Sequence, residues 1–485
     1  MPLAETQNAW VKPALIGVGL VTLLRVLALW GSPTDLYVDE SQYWLWGQSL
    51  DFGYYSKPPM IGWVLRLFDE LTPVRSAFSV RLPAPLIHGV TAMILGAWAA
   101  RIAPAHRFVG LWAAMAYLSL PIVAVGSFLI STDTIMAPFF IGALALYWRL
   151  CAGGGARHAV FGGLLLGLAF LSKYAAVYFV PGAVIAYALY PSMRPRGKHL
   201  AVFAFAFLIA AAPNILWNIA NDLTTVSHTM DNAAWLKSES VGPRPSVTRA
   251  LEFVASQFGV IGPVLMVLWI AALRAPAPGR QRALIWVSIP VWAIVLIQAY
   301  LSRAYANWAF AAIPAATITA ILFALDTNRR RALWAALGLN AALSLLIPLL
   351  TLFPLWIKDG NGQPLAKRYV NVAAITQDAI ALARANGITT ITATNRGILA
   401  DFFFTGADSG LAFYAAPPKG APRHYYEQEK PLPPDVTGPV LYVGYNDTLN
   451  CGGTPVVPVA SLTQEVGSWA NKALPAYIVN AECLR

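Results

Sequence analysis

The chain has 485 residues, of which 57% are hydrophobic and 12% charged, with a mean hydropathy of +0.56. Soluble domains carry about 25% charged residues, so a single globular core is excluded in favour of a polytopic membrane protein. The net charge of +11 is dispersed in short clusters between apolar runs. A nucleic-acid binder would gather it on one face or arm.

Apolar runs recur at 14–30, 84–101, 108–130, 134–150, 159–172, 174–190, 200–217, 253–273, 283–300, 307–325 and 332–353. At a helical rise of about 1.5 Å per residue these make roughly eleven transmembrane helices. Lys12 precedes the first run and no small-residue cleavage site follows it, so 14–30 is expected to be a retained span rather than a signal peptide. The connections 101–107, 149–158, 191–199, 273–282 and 328–332 are short and basic. All five fall on one side if every run spans, and the positive-inside rule assigns that side to the cytoplasm.

The opposite side then receives residues 31–83, the turns at Asp133 and Lys173, 218–252, 301–306 and everything after 354. Within 31–83, "SQYWLWGQSL" and "MIGWVLRLFDEL" interleave aromatic and polar residues, as helices lying in the membrane interface do. After 354 the pattern changes. "NVAAITQDAIALARANG" reads as an amphipathic helix stopped by Gly387, "ITTITA" and "PVLYVGY" as strands, and "GILADFFFTG" as a second helix. Residues 355–485 are therefore expected to form a soluble α/β domain after a membrane part at 1–354. Its Pro-rich stretch "AAPPKGAPRHYYEQEKPLPPD" is expected to be an irregular loop. Cys451 and Cys483 lie there, and an extracytoplasmic location would allow them to pair.

Ionisable groups collect on the non-cytoplasmic face, where they are functional candidates. Asp39 and Glu40 follow the first span. Lys57 stands before Pro58 and Pro59. Asp133 lies in "ISTDTIMAP" and Lys173 in "LSKY". Asn218, Asn221, Asp222 and His228 follow the seventh run, and Arg303, Tyr305 and Asn307 the ninth. Carboxylates and cations at one interface suit an anionic lipid-linked substrate whose acceptor needs a base. Structural roles compete. Asp39 with Gln42 has the spacing of a capping box, Glu40 suits a solvated first turn, and Asp133 suits an N-cap. Lys57 and Lys173 suit snorkelling, His228 a structural histidine, and Arg303 a helix anchor.

"YVDESQYWLWGQSLDFGYYSKPPMIGW", "ISTDTIMAP", "FLSKYAAVYFVPG" and "YANWAFAAIP", in this order, resemble the bacterial GT-C glycosyltransferases of the family-39/family-83 type, relatives of protein O-mannosyltransferases and lipid A aminoarabinose transferases. The resemblance covers roughly residues 14–325. It implies a GT-C fold in the bacterial inner membrane with a periplasmic C-terminal domain. It also implies inverting transfer of one sugar from a polyprenyl-phosphate donor, such as undecaprenyl phosphate, to a periplasmic-face envelope acceptor. Lipopolysaccharide core or lipid A, another glycan, a lipid or a protein are open acceptors. Asp39 is then the base or orienter, with Glu40 or Asp133 as helper. Lys57, Lys173 and Arg303 approach the donor phosphate. Tyr54, Tyr55, His228, Tyr305 and Asn307 are candidates for the substrate pocket. Aminoarabinose-type enzymes carry a metal-linked Glu before the "KPP" lysine. Ser56 stands there in this chain, so neither a divalent metal nor another cofactor is expected. The rival readings are a transporter or flippase for lipid-linked sugars, which favours mid-membrane charges and paired repeats, and an envelope-assembly scaffold.

Overall fold

A computed structural model of the chain describes residues 8–223, 225, 245–445 and 448–485. They form two compact units. The first comprises residues up to Trp30, Asp51–Val64 and Arg81–Pro348. The second comprises Gly31–Leu50, Leu65–Val80 and Leu349–Arg485. Packing thus assigns 31–50 and 65–80, which the sequence places with the membrane part, to the same unit as the C-terminal region.

Each apolar run is helical. Seven helices among the described residues are long and apolar enough to cross a membrane: Val11–Trp30, Ala77–Ile102, Thr132–Cys151, Gly197–Ala220, Gly279–Leu301, Ala306–Asp326 and Arg330–Leu352. Val109–Ser119, Ala156–Ser172 and Tyr174–Leu189 are shorter. The pair Val247–Ile261 and Pro263–Ala272 is bent by 107° where Gly262 adopts φ +95° before Pro263, a geometry that favours glycine. Run 108–130 is divided because Pro121 opens a new helix after Ser119. The division frees the Leu118 carbonyl, which accepts from Arg25 Nη2 at 2.6 Å, while Arg25 Nη1 donates to Ser127 Oγ at 2.9 Å. A buried arginine in the first span therefore satisfies the break.

Small residues allow close helix approach in the first unit. On the Ala156–Ser172 helix, a Cβ at Gly163 would collide with the Phe203 carbonyl oxygen, and one at Gly167 with Ala210. The four-residue spacing puts both glycines on one face toward the Gly197–Ala220 helix.

The second unit carries a five-stranded mixed sheet, in the order Ala412–Ala415, Thr390–Ala393, Pro439–Val443, Pro475–Asn480, Ala460–Ser461. The first two pairings are parallel and the last two antiparallel. The Val372–Ala385 helix buries Val372, Ile375, Ala379 and Ala383, a 3.6-residue stripe, and ends where Gly387 takes φ +66°. The Arg396–Thr405 helix buries Ile398, Leu399 and Phe402. Cys451 and Cys483 form a disulfide.

Two expectations change here. The Pro-rich stretch holds the end of a strand and a helix, Tyr425–Glu429. His424 Nδ1 accepts from the Glu427 N–H at 3.3 Å to cap it, and Arg423 Nη2 pairs with Glu427 at 2.5 Å. The aromatics of Val38–Gly47, expected in the membrane interface, are buried protein contacts. Trp44 meets Phe404 edge-on at 5.1 Å, and Trp46 meets Tyr425 at 5.8 Å.

Candidate functional site

In the first unit, the extended residue Ser131 caps the Thr132–Cys151 helix by accepting from the Thr134 N–H. Asp133 is therefore not the cap, and its carboxylate is directed elsewhere. Lys173 Nζ lies 2.7 Å from both Asp133 oxygens, and Asn307 Nδ2 donates to Oδ2 at 3.0 Å. Two residues distant in sequence thus converge on one buried acid. Lys173 sits where the backbone leaves helical geometry (φ −159°, ψ 133°) between two helices, which aims its side chain at Asp133. This fixes its charge on the acid.

Asn307 lies in the 3-10 segment Ala306–Ala312, which follows the Arg303–Tyr305 turn. The exposed Arg303 guanidinium lies 4.5 Å from the Tyr305 ring centroid. That stacking holds a cation in the loop that also reaches Asp133.

The "YYSKPP" loop is held from below. The Tyr54 N–H donates to the Lys57 carbonyl at 3.1 Å, and Thr225 Oγ1 donates to the Tyr54 carbonyl at 2.7 Å. Burial pushes the Tyr54 hydroxyl up to about 12. Tyr55 and Lys57 are half-buried beside it. Asn214 Nδ2 donates to the Phe52 carbonyl at 2.7 Å, and Tyr174 Oη donates to Asn214 Oδ1 at 2.9 Å. Asn218 Nδ2 closes the network onto Tyr174 Oη at 3.0 Å. This chain of bonds connects the loop bearing Lys57 to the residue next to Lys173. Tyr174 and Asn214 were not among the sequence candidates. The available signal was two asparagines four apart, Asn214 and Asn218, on one face of an otherwise apolar helix.

His88, fully buried, was also missed. Its Nδ1 lies 2.9 Å from Tyr117 Oη and its Nε2 3.3 Å from Thr134 Oγ1, next to Asp133. His228 lies outside the described residues.

The second unit holds the other two acids. Glu40 is buried and its Oε2 accepts from the Tyr37 N–H at 2.9 Å, so the capping box at this helix uses Glu40 and not the Asp39–Gln42 spacing. Asp39 Oδ1 lies 2.5 Å from Arg396 Nη2, and Arg396 Nε donates to Gln42 Oε1 at 3.0 Å. Desolvation opposes the Arg396 charge, but Asp39 prevails and holds the guanidinium above its ordinary value. Arg396 has no sequence signal beyond following a capping residue, Asn395. Among the described residues no group of three or more His, Cys, Asp or Glu is spaced to hold a metal ion.

Chemically, the first unit supplies a buried, charge-balanced carboxylate at Asp133 and cations at Lys57 and Arg303, and the second a partly exposed carboxylate at Asp39. The family description dolichyl-phosphate-mannose-protein mannosyltransferase matches residues 56–217. Lipid A galacturonosyltransferase RgtD of Rhizobium johnstonii is 40% identical over 471 residues, spanning 96% of this chain and 97% of that protein. ArnT from Cupriavidus metallidurans is similar in its apo crystal structure, with a TM-score of 0.63 at 15% identity over 97% of this chain and 98% of that one. Its undecaprenyl phosphate-bound structure gives 0.65 at 14% identity over the same shares. At such identities the two structures speak for the fold.

Proposed function

The chain belongs to the GT-C membrane glycosyltransferases, in the family of the rhizobial lipid A galacturonosyltransferase, and we propose that it transfers one uronic acid of the galacturonate class from a polyprenyl-phosphate carrier to a lipid A-type glycolipid. The observation that carries this reading is the 40% identity extending over nearly the whole of both chains. The basic connections favour an inner-membrane orientation with the acids, Lys57 and Arg303 on the periplasmic face. A transporter or scaffold would need neither the carboxylates nor the cations in this pattern.

The proposed reaction is an inverting displacement at the anomeric carbon. An acceptor hydroxyl forms the new C–O bond as its proton passes to Asp39. The old C–O bond breaks with its electron pair on the carrier phosphate, which leaves as a monoester. Lys57 and Arg303 balance the charge developing there. Asp39 supplies the base because it is partly exposed and holds one carboxylate oxygen clear of its arginine. Asp133, charge-balanced by Lys173 and hydrogen-bonded by Asn307, orients the donor. Tyr54, Tyr55 and Tyr305 stand beside the two cations and suit packing against the sugar ring. A uronic sugar adds a second anion to the donor, and two separate cations answer it better than one.

The test is transfer in proteoliposomes from polyprenyl-phosphate galacturonate to lipid A. Wild type is expected to add one sugar, and Asp39→Asn to lose at least about a hundredfold in rate. Full transfer by Asp39→Asn would remove the base assignment.

A further inference from the structure

Asp39 is gripped by an arginine more than three hundred and fifty residues away in the chain. Arg396 begins the Arg396–Thr405 helix, whose N-cap Asn395 accepts from the Gly397 and Ile398 N–H groups and so fixes where that helix starts. From there the guanidinium meets the Val38–Gly47 helix along two edges. Nη2 takes Asp39 Oδ1 at 2.5 Å and Nε takes Gln42 Oε1 at 3.0 Å. Asp39 and Gln42 are three apart on one helix face, the spacing a planar fork can bridge. No described residue bonds the other oxygen, Asp39 Oδ2.

The surroundings are closely packed. Trp44 packs on Phe404, and Trp44 Nε1 donates to Asp69 at 3.1 Å. Arg75 lies over both rings, 5.2 Å from Trp44 and 5.9 Å from Phe404, and bonds Asp408. The Arg396–Asp39 pair itself is partly exposed, with 39% and 43% of the side chains accessible. An ion pair so exposed contributes little to stability, whereas holding a carboxylate in one rotamer has a large effect on a proton-transfer step.

We propose that Arg396 is a positioning residue for the transfer reaction. It fixes Asp39 by Oδ1 and leaves Oδ2 directed at the acceptor proton. The C-terminal α/β region thereby holds the base in place and is more than a scaffold. This rests on the assignment of Asp39 as the base.

The experiment measures transfer kinetics of the full chain in nanodiscs for wild type, Arg396→Gln, Arg396→Lys, Gln42→Ala, Asp39→Asn and the double variant Asp39→Asn/Arg396→Gln. Arg396→Gln is expected to lower kcat about 10- to 100-fold with donor KM within about twofold and the unfolding midpoint unchanged. Arg396→Lys should retain the charge but not the fork and fall between. In the Asp39→Asn background, Arg396→Gln should cost nothing further, because residues acting as a unit are non-additive. A wild-type kcat in Arg396→Gln would overturn the proposal. So would a full additional loss in the double variant, with Asp39→Asn still impaired. If Asp39→Asn alone keeps the wild-type rate, it is the base assignment that fails. Should Arg396→Gln not fold, Arg396→Lys and Gln42→Ala decide, and wild-type kcat in both would overturn it.

Discussion

Replacing Lys173 by Met keeps the apolar stem and removes the ammonium from Asp133. The carboxylate is then left with one neutral donor, Asn307 at 3.0 Å, in place of two further contacts at 2.7 Å. Breaking a buried pair costs about 3–5 kcal/mol, whereas an exposed pair is worth about 0–1. With 20% of the Lys173 side chain and 10% of Asp133 accessible, the site lies near the buried limit, so a loss of about 3 kcal/mol is expected. If an uncompensated charge is the cause, adding Asp133→Asn should recover about 2 kcal/mol of it. Denaturant unfolding in lipid–detergent micelles measures all four members of the cycle. Strictly additive losses would refute the pairing. A raised donor KM in Lys173→Met with unchanged stability would place the lysine on the carrier phosphate instead.

Other outcomes follow from single features. Lys57→Ala should weaken donor binding about tenfold or more while leaving acceptor KM alone, and unchanged donor affinity would reject the phosphate contact. Cys451→Ser opens a loop of 32 residues and should cost the C-terminal unit about 3.5 kcal/mol on chain-entropy grounds. Free thiols at Cys451 and Cys483 in non-reduced protein would refute the bond. Burial raises the Asp401 carboxyl from 3.8 to about 6. The folded chain keeps this proton at pH values where the unfolded chain has released it, so stability should fall as pH rises through that window and level off above about 6. Asp401→Asn, which keeps an acceptor for one of the two threonine hydroxyls and can donate to the other, should flatten that profile and stabilise at neutral pH by about 2–4 kcal/mol. A profile unchanged by the substitution would contradict this. Gly163→Leu should separate two helices of the first unit and lower the yield of folded protein, and a wild-type melting point would argue against the close approach.

The membrane part was legible because helical runs of apolar residues need no partner to be recognised. Every run from 14–30 to 332–353 is helical, although Pro121 and Gly262–Pro263 show that a continuous hydropathy signal hides breaks in the backbone. The helix stop at Gly387 and the strand in "ITTITA" followed from local turn and strand chemistry. The parts not legible depend on long-range packing. "SQYWLWGQSL" has the composition of an interface helix, and only Phe404 and Tyr425 reveal that its tryptophans are core residues. Asp133, Lys173 and Asn307 were each candidates, but their mutual contact is a tertiary fact. Arg396, a lone arginine in "ATNRG", carried no local signal. The Asp39–Gln42 spacing misled because Glu40 caps the same helix.

The central claim concerns donor and acceptor. Purified protein in liposomes containing lipid A should be offered polyprenyl-phosphate galacturonate, a neutral polyprenyl-phosphate hexose and a polyprenyl-phosphate amino-pentose, with product masses read directly. The account predicts that lipid A gains one uronic acid from the first donor and little from the other two. Lipid A left unmodified by all three, or modified equally by the neutral and amino sugars, would contradict it.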